Sequence, residues 1–353
     1  MQIQEHVPLS QHSTMRLGGP ARYLAEVTAR SELSEAVQWA ESHHVPLMII
    51  GTGSNIVWGD NGFPGLVVVN KIMGFEVQEF DPQTTYVTVG GGENWDSVVE
   101  RTVAQGLSGL ELLSRIPGTA GAAPVQNIGA YGAQISDVLV TLEAYDLQAK
   151  QFVTLRASEC AFGYRTSRFK TTDKGRFCIT SLTLGLGKNL AQPPYYRDIQ
   201  AFIEKNHVTD ITLAKLREIV THIREKKLPD PSVIPNNGSF FQNPIISREQ
   251  FDQLVASHPE IERAPPGWSQ PPRWLQDDGS VKLAAGWLVE QAGFKAYEDK
   301  ETGMATWPYQ NLVLTNKGAH STADLLKFKQ KIVDAVQAKY GVTLVQEPEL
   351  IGA

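Results

Sequence analysis

The residues best placed to do chemistry are glycines. Gly51-Thr-Gly-Ser-Asn55 follows the apolar run Leu47 to Ile50, and a second tract, Ile116-Pro-Gly-Thr-Ala-Gly-Ala-Ala-Pro-Val-Gln-Asn-Ile-Gly-Ala-Tyr-Gly132, is almost free of large side chains. Successive small residues expose backbone N–H groups that can form a concave nest for an anion such as a pyrophosphate. A plain turn would use the same glycines in the first tract. The second is too long and too poor in bulk to be packing filler, and two such tracts in one chain point to a large, flat cofactor. A standard dinucleotide fingerprint is disfavoured, because position 56, where its third glycine would stand, is Ile and no long helix clearly follows. Gly187-Lys188 lacks the earlier glycine and the following Ser or Thr of a P-loop, and the eight histidines show no zinc-protease spacing.

The elements that must position these tracts are legible as patterns. Leu33, Ala36, Val37 and Ala40 recur at helical spacing after Ser31, and Pro46 leads into the strand that delivers Gly51. Thr85 to Val89 is a second strand running into three glycines, followed by a helix that Asp96 can cap and Gly106 ends. Residues 107–135 are loop-like, whereas Val138 to Tyr145 and Arg176 to Leu184 alternate as strands of a mainly antiparallel sheet. Leu213, Leu216, Val220 and Ile223 mark an amphipathic helix ended by Lys227-Leu-Pro229, and a domain boundary is expected nearby. Ser247 and Gln250 form a capping box, a proline-rich loop occupies 264–272, and Leu325, Phe328, Ile332 and Val336 stripe a last helix. Strands and helices are mixed rather than strictly alternating, so the class is α+β.

Composition narrows the function. At 353 residues the chain exceeds one ordinary core, since single cores rarely grow past roughly 250 to 300 residues, and two or three domains are expected. Hydrophobic residues at 42% and charged residues at 20% indicate a folded, soluble protein. A net charge of -6 argues against nucleic acid as a partner, so an anionic ligand must be met by local cations. No apolar run approaches a signal peptide or a membrane span, which predicts a cytoplasmic protein without membrane insertion. Cys160 and Cys178 have neither disulfide-framework nor zinc spacing and are expected to be ordinary thiols of the core.

IPGTAGAAPVQNIGAYG resembles the flavin-binding signature of the UDP-N-acetylenolpyruvoylglucosamine reductases, and GTGSN resembles their pyrophosphate loop. The resemblance continues in family order through FGYR, KLPDP, NNGSFFQNP, KLAAGWLVEQAGFK and EPELIG. It implies a vanillyl-alcohol-oxidase-type FAD-binding fold, with subdomains at 1–70 and 71–222 clasping FAD and an α+β substrate-binding domain at 223–353. Implied cofactor contacts are Gly51, Thr52, Gly53, Ser54, Asn55, Ile116, Pro117, Gly118, Ala122, Gln126, Asn127, Gly129 and Ile179. The flavin is expected to be non-covalent, because oxidases of that fold that tether FAD often carry His where Ser54 stands. NADPH is the implied co-substrate, and a monomer is expected.

The resemblance assigns catalysis to Arg165, Ser239 and Glu349. The planar, permanently charged fork of Arg165 suits a carboxylate or a developing enolate, although a solvated cation beside Arg168 and Lys170 is the plainer reading of the residue alone. Ser239 falls on the family's proton donor, with a glycine before it that permits close approach and two phenylalanines after it that can exclude water. By itself it would pass for a turn serine. Glu349 has Glu347 as its competitor. Tyr131, Tyr164, Tyr196, Lys227, Asn243, Lys295 and Gln310 carry the implied contacts to the diphosphate and sugar of UDP-N-acetylglucosamine enolpyruvate. Tyr196 matches the loop of the longer subgroup, in which a tyrosine folds over bound substrate. Gln242 stands where many members have Lys, and Ala305-Thr-Trp-Pro308 replaces a stretch that commonly carries a His. Two other functions fit the same cleft: an oxidase of a small alcohol or sugar, and a non-catalytic nucleotide-sugar sensor.

Overall fold

The computed structural model describes residues 1–266 and 270–352. Residues 267–269 of the proline-rich loop lie outside the described residues. The chain divides into two compact units, one of Met1–Val7, Ala21–Gly53 and Phe63–Lys226, the other of Pro8–Pro20, Ser54–Gly62 and Lys227–Ala353.

In the first unit, Pro20–Val27, Phe63–Asn70 and Leu47–Ile50 are parallel neighbours in a four-stranded sheet edged by Ile3–Pro8. The continuous run Leu66-Val-Val-Val69 is buried throughout, as a parallel strand covered on both faces must be. Helix Arg30–Ser42 lays Leu33, Ala36, Val37 and Ala40 against Ala25, Val27, Leu66 and Val68. The antiparallel expectation for the next sheet also holds: Gln151–Arg156, Leu139–Asp146, Phe177–Gly187, Thr84–Gly90 and Phe75–Glu79 lie side by side in that order. Helix Trp95–Ala104 covers it with Trp95, Val98 and Val99.

One capping expectation is corrected. Asn94, not Asp96, caps this helix, its side chain accepting the Ser97 N–H at 3.0 Å. The Asp96 carboxylate is recruited from afar, accepting the Arg115 N–H at 2.6 Å and the Arg217 guanidinium at 2.7 Å.

Residues 107–135 contain only single turns and a two-residue hairpin, Gly129–Ala130 with Ala133–Gln134. Close backbone approach explains their small side chains. A Cβ on Gly121 would stand 2.7 Å from the Ile179 carbonyl oxygen and one on Gly91 2.3 Å from it, while the Gly121 N–H donates to the Gly91 carbonyl at 2.8 Å.

In the second unit, Asn236–Ser239, Gln310–Asn316, Met304–Trp307 and Glu298–Asp299 form an antiparallel sheet. Helix Thr322–Tyr340 packs Leu325, Phe328, Ile332 and Val336 into a core with Met304, Leu312, Leu314 and Phe251. The Ser247–Gln250 capping box forms as expected, with both hydrogen bonds at 3.1 Å. Glu349–Ile351 pairs in parallel with Ile56–Trp58, so the end of the chain runs beside the strand that follows the first glycine loop.

Candidate active site

In the first unit the two glycine-rich tracts meet. A Cβ on Gly51 would lie 2.4 Å from the Thr119 hydroxyl oxygen, so the end of strand Leu47–Ile50 seats directly on the second tract. Gly53 (φ 69) and Gly118 (φ 129) occupy left-handed backbone that glycine adopts without strain. Ile179 is buried on strand Phe177–Gly187 at the edge of this junction. Asn127, buried and itself at φ 47, joins the second tract to the FGYR segment: its Nδ2 donates to the Gly163 carbonyl and to Gln134 Oε1, both at 3.1 Å, and its Oδ1 accepts the Ser136 N–H at 3.2 Å.

Arg165 is half-buried and docked, which sets aside the solvated-cation reading. Its Nη2 donates to the Gly129 carbonyl at 2.6 Å, and its guanidinium lies 5.3 Å from the Tyr164 ring centroid. A Cβ on Gly129 would come within 2.9 Å of both the Ala133 carbonyl oxygen and Arg165 Nη1, so a larger residue there must displace backbone as well as the guanidinium. The backbone of Arg165 is left-handed (φ 54), a conformation that costs a non-glycine residue on the order of 1 kcal/mol and clusters at functional sites.

Tyr131 and Tyr196 meet edge to face with ring centroids 5.6 Å apart. The Tyr131 hydroxyl accepts a hydrogen bond from the Arg224 guanidinium, and burial pushes that hydroxyl's pKa above its ordinary range, keeping it neutral. Arg224 also donates through Nε to the Arg115 carbonyl at 3.2 Å, and burial lowers its own pKa. In the sequence this arginine is marked only by its place three residues before Lys227 on one helix, Leu213–Lys227.

In the second unit Ser239 ends strand Asn236–Ser239, opposite Val313, just past a bulge between 236 and 239. Asn236 sets that bulge by accepting the Gly238 N–H at 2.8 Å, which holds Gly238 at φ 70. A Cβ on Gly238 would meet no atom within 4 Å, so open space adjoins the serine. Phe240 and Phe241 follow it in sequence. Both are core side chains, 0% and 1% exposed.

The Glu347 N–H donates to the Phe240 carbonyl at 2.8 Å and the Glu349 N–H to the Asn55 carbonyl at 2.9 Å. Backbone pairing thus ties Glu347 to the serine strand and Glu349 to the glycine loop. Asn237, which the sequence analysis did not single out, donates to the Ser54 carbonyl at 3.1 Å. Asn243 Oδ1 accepts the Ala285 N–H at 3.0 Å, and Lys295 pairs with Glu290 at 2.6 Å. Gln310 opens strand Gln310–Asn316, and Lys227 is the last residue of its helix. Cys160 and Cys178 are buried thiols, with burial raising their pKa to about 11 and about 12. Among the described residues no cluster suited to a metal occurs, and no helix is long and apolar enough to cross a membrane.

Residues 21–154 match the model of an FAD binding domain, and residues 230–351 match that of the UDP-N-acetylenolpyruvoylglucosamine reductase C-terminal domain. UDP-N-acetylenolpyruvoylglucosamine reductase of Ralstonia nicotianae is 40% identical over 352 residues, covering 99% of each chain. The protein of the same name from Cupriavidus pinatubonensis is 41% identical over 350 residues, again 99% of each, and that from Thermobifida fusca 38% over 357 residues, 98% and 97%. The solved UDP-N-acetylenolpyruvylglucosamine reductase of Thermus caldophilus superposes with a TM-score of 0.66 at 23% identity over 99% of both chains, so the fold is shared. The α+β, vanillyl-alcohol-oxidase-type FAD-binding fold expected from the motifs therefore stands. On this sequence identity over the full chain, the protein belongs to the UDP-N-acetylenolpyruvoylglucosamine reductase family.

Proposed function

We propose that the chain reduces UDP-N-acetylglucosamine enolpyruvate to UDP-N-acetylmuramate, a step of peptidoglycan precursor synthesis, with NADPH as the electron source. The observation that carries this reading is the seating of Gly51 on Thr119, with Arg165 docked on Gly129 of the same tract. These small, closely approached residues fit FAD: Gly51 to Asn55 offer backbone N–H groups to a pyrophosphate, and 116–129 with Ile179 offer a flat apolar bed. When bound, FAD supplies a two-electron carrier between NADPH and C3 of the substrate.

The chain's own residues do the rest. Arg165 stabilises the enolate-like charge that develops on the substrate, Glu349 supports it by donating a hydrogen bond as a carboxylic acid, and Ser239 delivers a proton from its hydroxyl to C2, giving the lactyl ether. Tyr131, Tyr164, Tyr196, Lys227, Asn243, Lys295 and Gln310 orient the diphosphate and sugar. Residues 1–70 and 71–222 serve as the FAD-clasping subdomains and 223–353 as the substrate domain of a monomeric cytoplasmic enzyme. Tyr196 acts as a substrate-ordered flap, so Tyr196→Phe weakens nucleotide-sugar binding in titrations and leaves FAD content intact; lost FAD would make it a core residue instead.

The direct test of cofactor and linkage is denaturation of the purified protein. It should be yellow and release intact FAD. Colourless protein that cannot be reconstituted sinks the reading, and flavin that stays attached to the denatured chain favours the oxidase.

A further inference from the structure

Asn237 does more than hold a turn. Its neighbour Asn236 already does that, bonding the Gly238 N–H at 2.8 Å and the Ile234 carbonyl at 2.7 Å. The bulge turns the Asn237 side chain to a different set of partners: Nδ2 lies 3.1 Å from the Thr14 hydroxyl, 3.1 Å from the Ser54 carbonyl and 3.2 Å from the Ile56 carbonyl. Two of those three atoms can only accept, which fixes the orientation of the amide. Its Oδ1 is buried and meets no donor among the described residues, with the residue only 7% exposed. A residue kept for packing alone would not leave a buried acceptor unserved.

We propose that Asn237 is a positioning residue that clamps the Ser54–Ile56 segment to the bulge presenting Ser239. This rests on the reading of Ser54 and Asn55 as cofactor contacts and of Ser239 as the proton donor. The clamp is short. Ser239 lies two residues along the strand from Asn237, and Ser54 is bonded to it directly, so a loosened amide changes the register between acid and cofactor loop. Thr14 belongs to the same clamp, since its hydroxyl also reaches the Ser54 carbonyl at 3.5 Å.

Asn237→Ala and Thr14→Val test this, singly and together. FAD affinity is read by titrating the apoprotein, and both half-reactions by stopped-flow at saturating FAD. Asn237→Ala should raise the FAD dissociation constant about tenfold and slow reoxidation by substrate more than reduction by NADPH. Thr14→Val should show the same pattern more weakly, and the double variant should fall short of the product of the two, because groups in one network do not add independently. Asn237→Asp guards against simple misfolding. Its carboxylate cannot donate to the Ser54 and Ile56 carbonyls, whereas its protonated form can donate to one of them, so FAD affinity should recover in part as the pH is lowered. A lowered melting temperature with unchanged FAD affinity and unchanged reoxidation would make Asn237 purely structural and overturn the inference. A wild-type protein that binds no FAD overturns the functional reading as well, which separates the two failures.

Discussion

Ser239→Ala should leave flavin reduction by NADPH near normal while slowing reoxidation by the enolpyruvyl substrate roughly 10²- to 10⁴-fold, about 3 to 5 kcal/mol of barrier. The asymmetry follows from the chemistry. Hydride transfer out of NADPH places no proton on a substrate carbon, whereas formation of the lactyl ether needs one at C2. The structure makes this a clean substitution: Ser239 is only half-buried, its strand is held by backbone pairing to Val313, and the bulge is shaped by Asn236 rather than by the serine hydroxyl. The fold should therefore survive. Ser239→Cys, a stronger acid of similar shape, should retain more reoxidation than alanine if proton donation is the role. Stopped-flow traces of both steps decide it. Normal reoxidation in the alanine variant removes Ser239 as the acid, and equal losses in the alanine and cysteine variants point to geometry instead.

The second large effect is expected at Arg165. One corner of its fork is committed to the Gly129 carbonyl, leaving the planar group oriented before any substrate arrives. Lysine at this position keeps the charge but presents a single ammonium, which cannot hold Gly129 and face a developing enolate together. Arg165→Lys should thus slow reoxidation by roughly 10²- to 10³-fold, about 3 to 4 kcal/mol, with reduction by NADPH much less affected. Arg165→Ala should lose at least as much. The left-handed backbone at 165 disfavours lysine and alanine about as much as arginine, so backbone strain does not separate the variants. Flavin absorbance per protein serves as the control, because Gly129 belongs to the tract that is proposed to hold FAD. Reoxidation at the wild-type rate in Arg165→Lys would reduce the side chain to a structural tie for that tract.

Much of this arrangement is written in the sequence, and the reasons differ by residue. Gly121 and Gly91 are legible because close backbone approach tolerates no side chain, so the demand appears directly as residue type. The stripe Leu325, Phe328, Ile332, Val336 is legible because one helix face must be apolar to be buried. What escapes are roles fixed by distant partners. Asp96 reads as a helix cap, yet Arg115 and Arg217, 19 and 121 positions away, recruit its carboxylate and leave the cap to Asn94. Asn237 beside a glycine reads as a turn residue, and its actual partners Thr14 and Ser54 lie 223 and 183 positions away. Phe240 and Phe241 invite a shielding role because they follow the serine, yet both belong to the core of the second unit, a placement that their position beside Gly238 and Ser239 does not reveal. The compact units escape for the same reason: segments 8–20 and 54–62 join the C-terminal unit through pairings such as Ile56 with Glu349 that local pattern does not contain.

The central claim is reduction of an enolpyruvyl ether through FAD at the expense of NADPH, and anaerobic NADPH consumption by the FAD-loaded protein tests it most directly. With UDP-N-acetylglucosamine enolpyruvate present, NADPH should be consumed in stoichiometric amount and UDP-N-acetylmuramate should appear; without it, consumption should stop once the bound flavin is reduced. Tight binding of the nucleotide sugar with no NADPH consumed, or consumption that ignores the substrate altogether, would contradict the account.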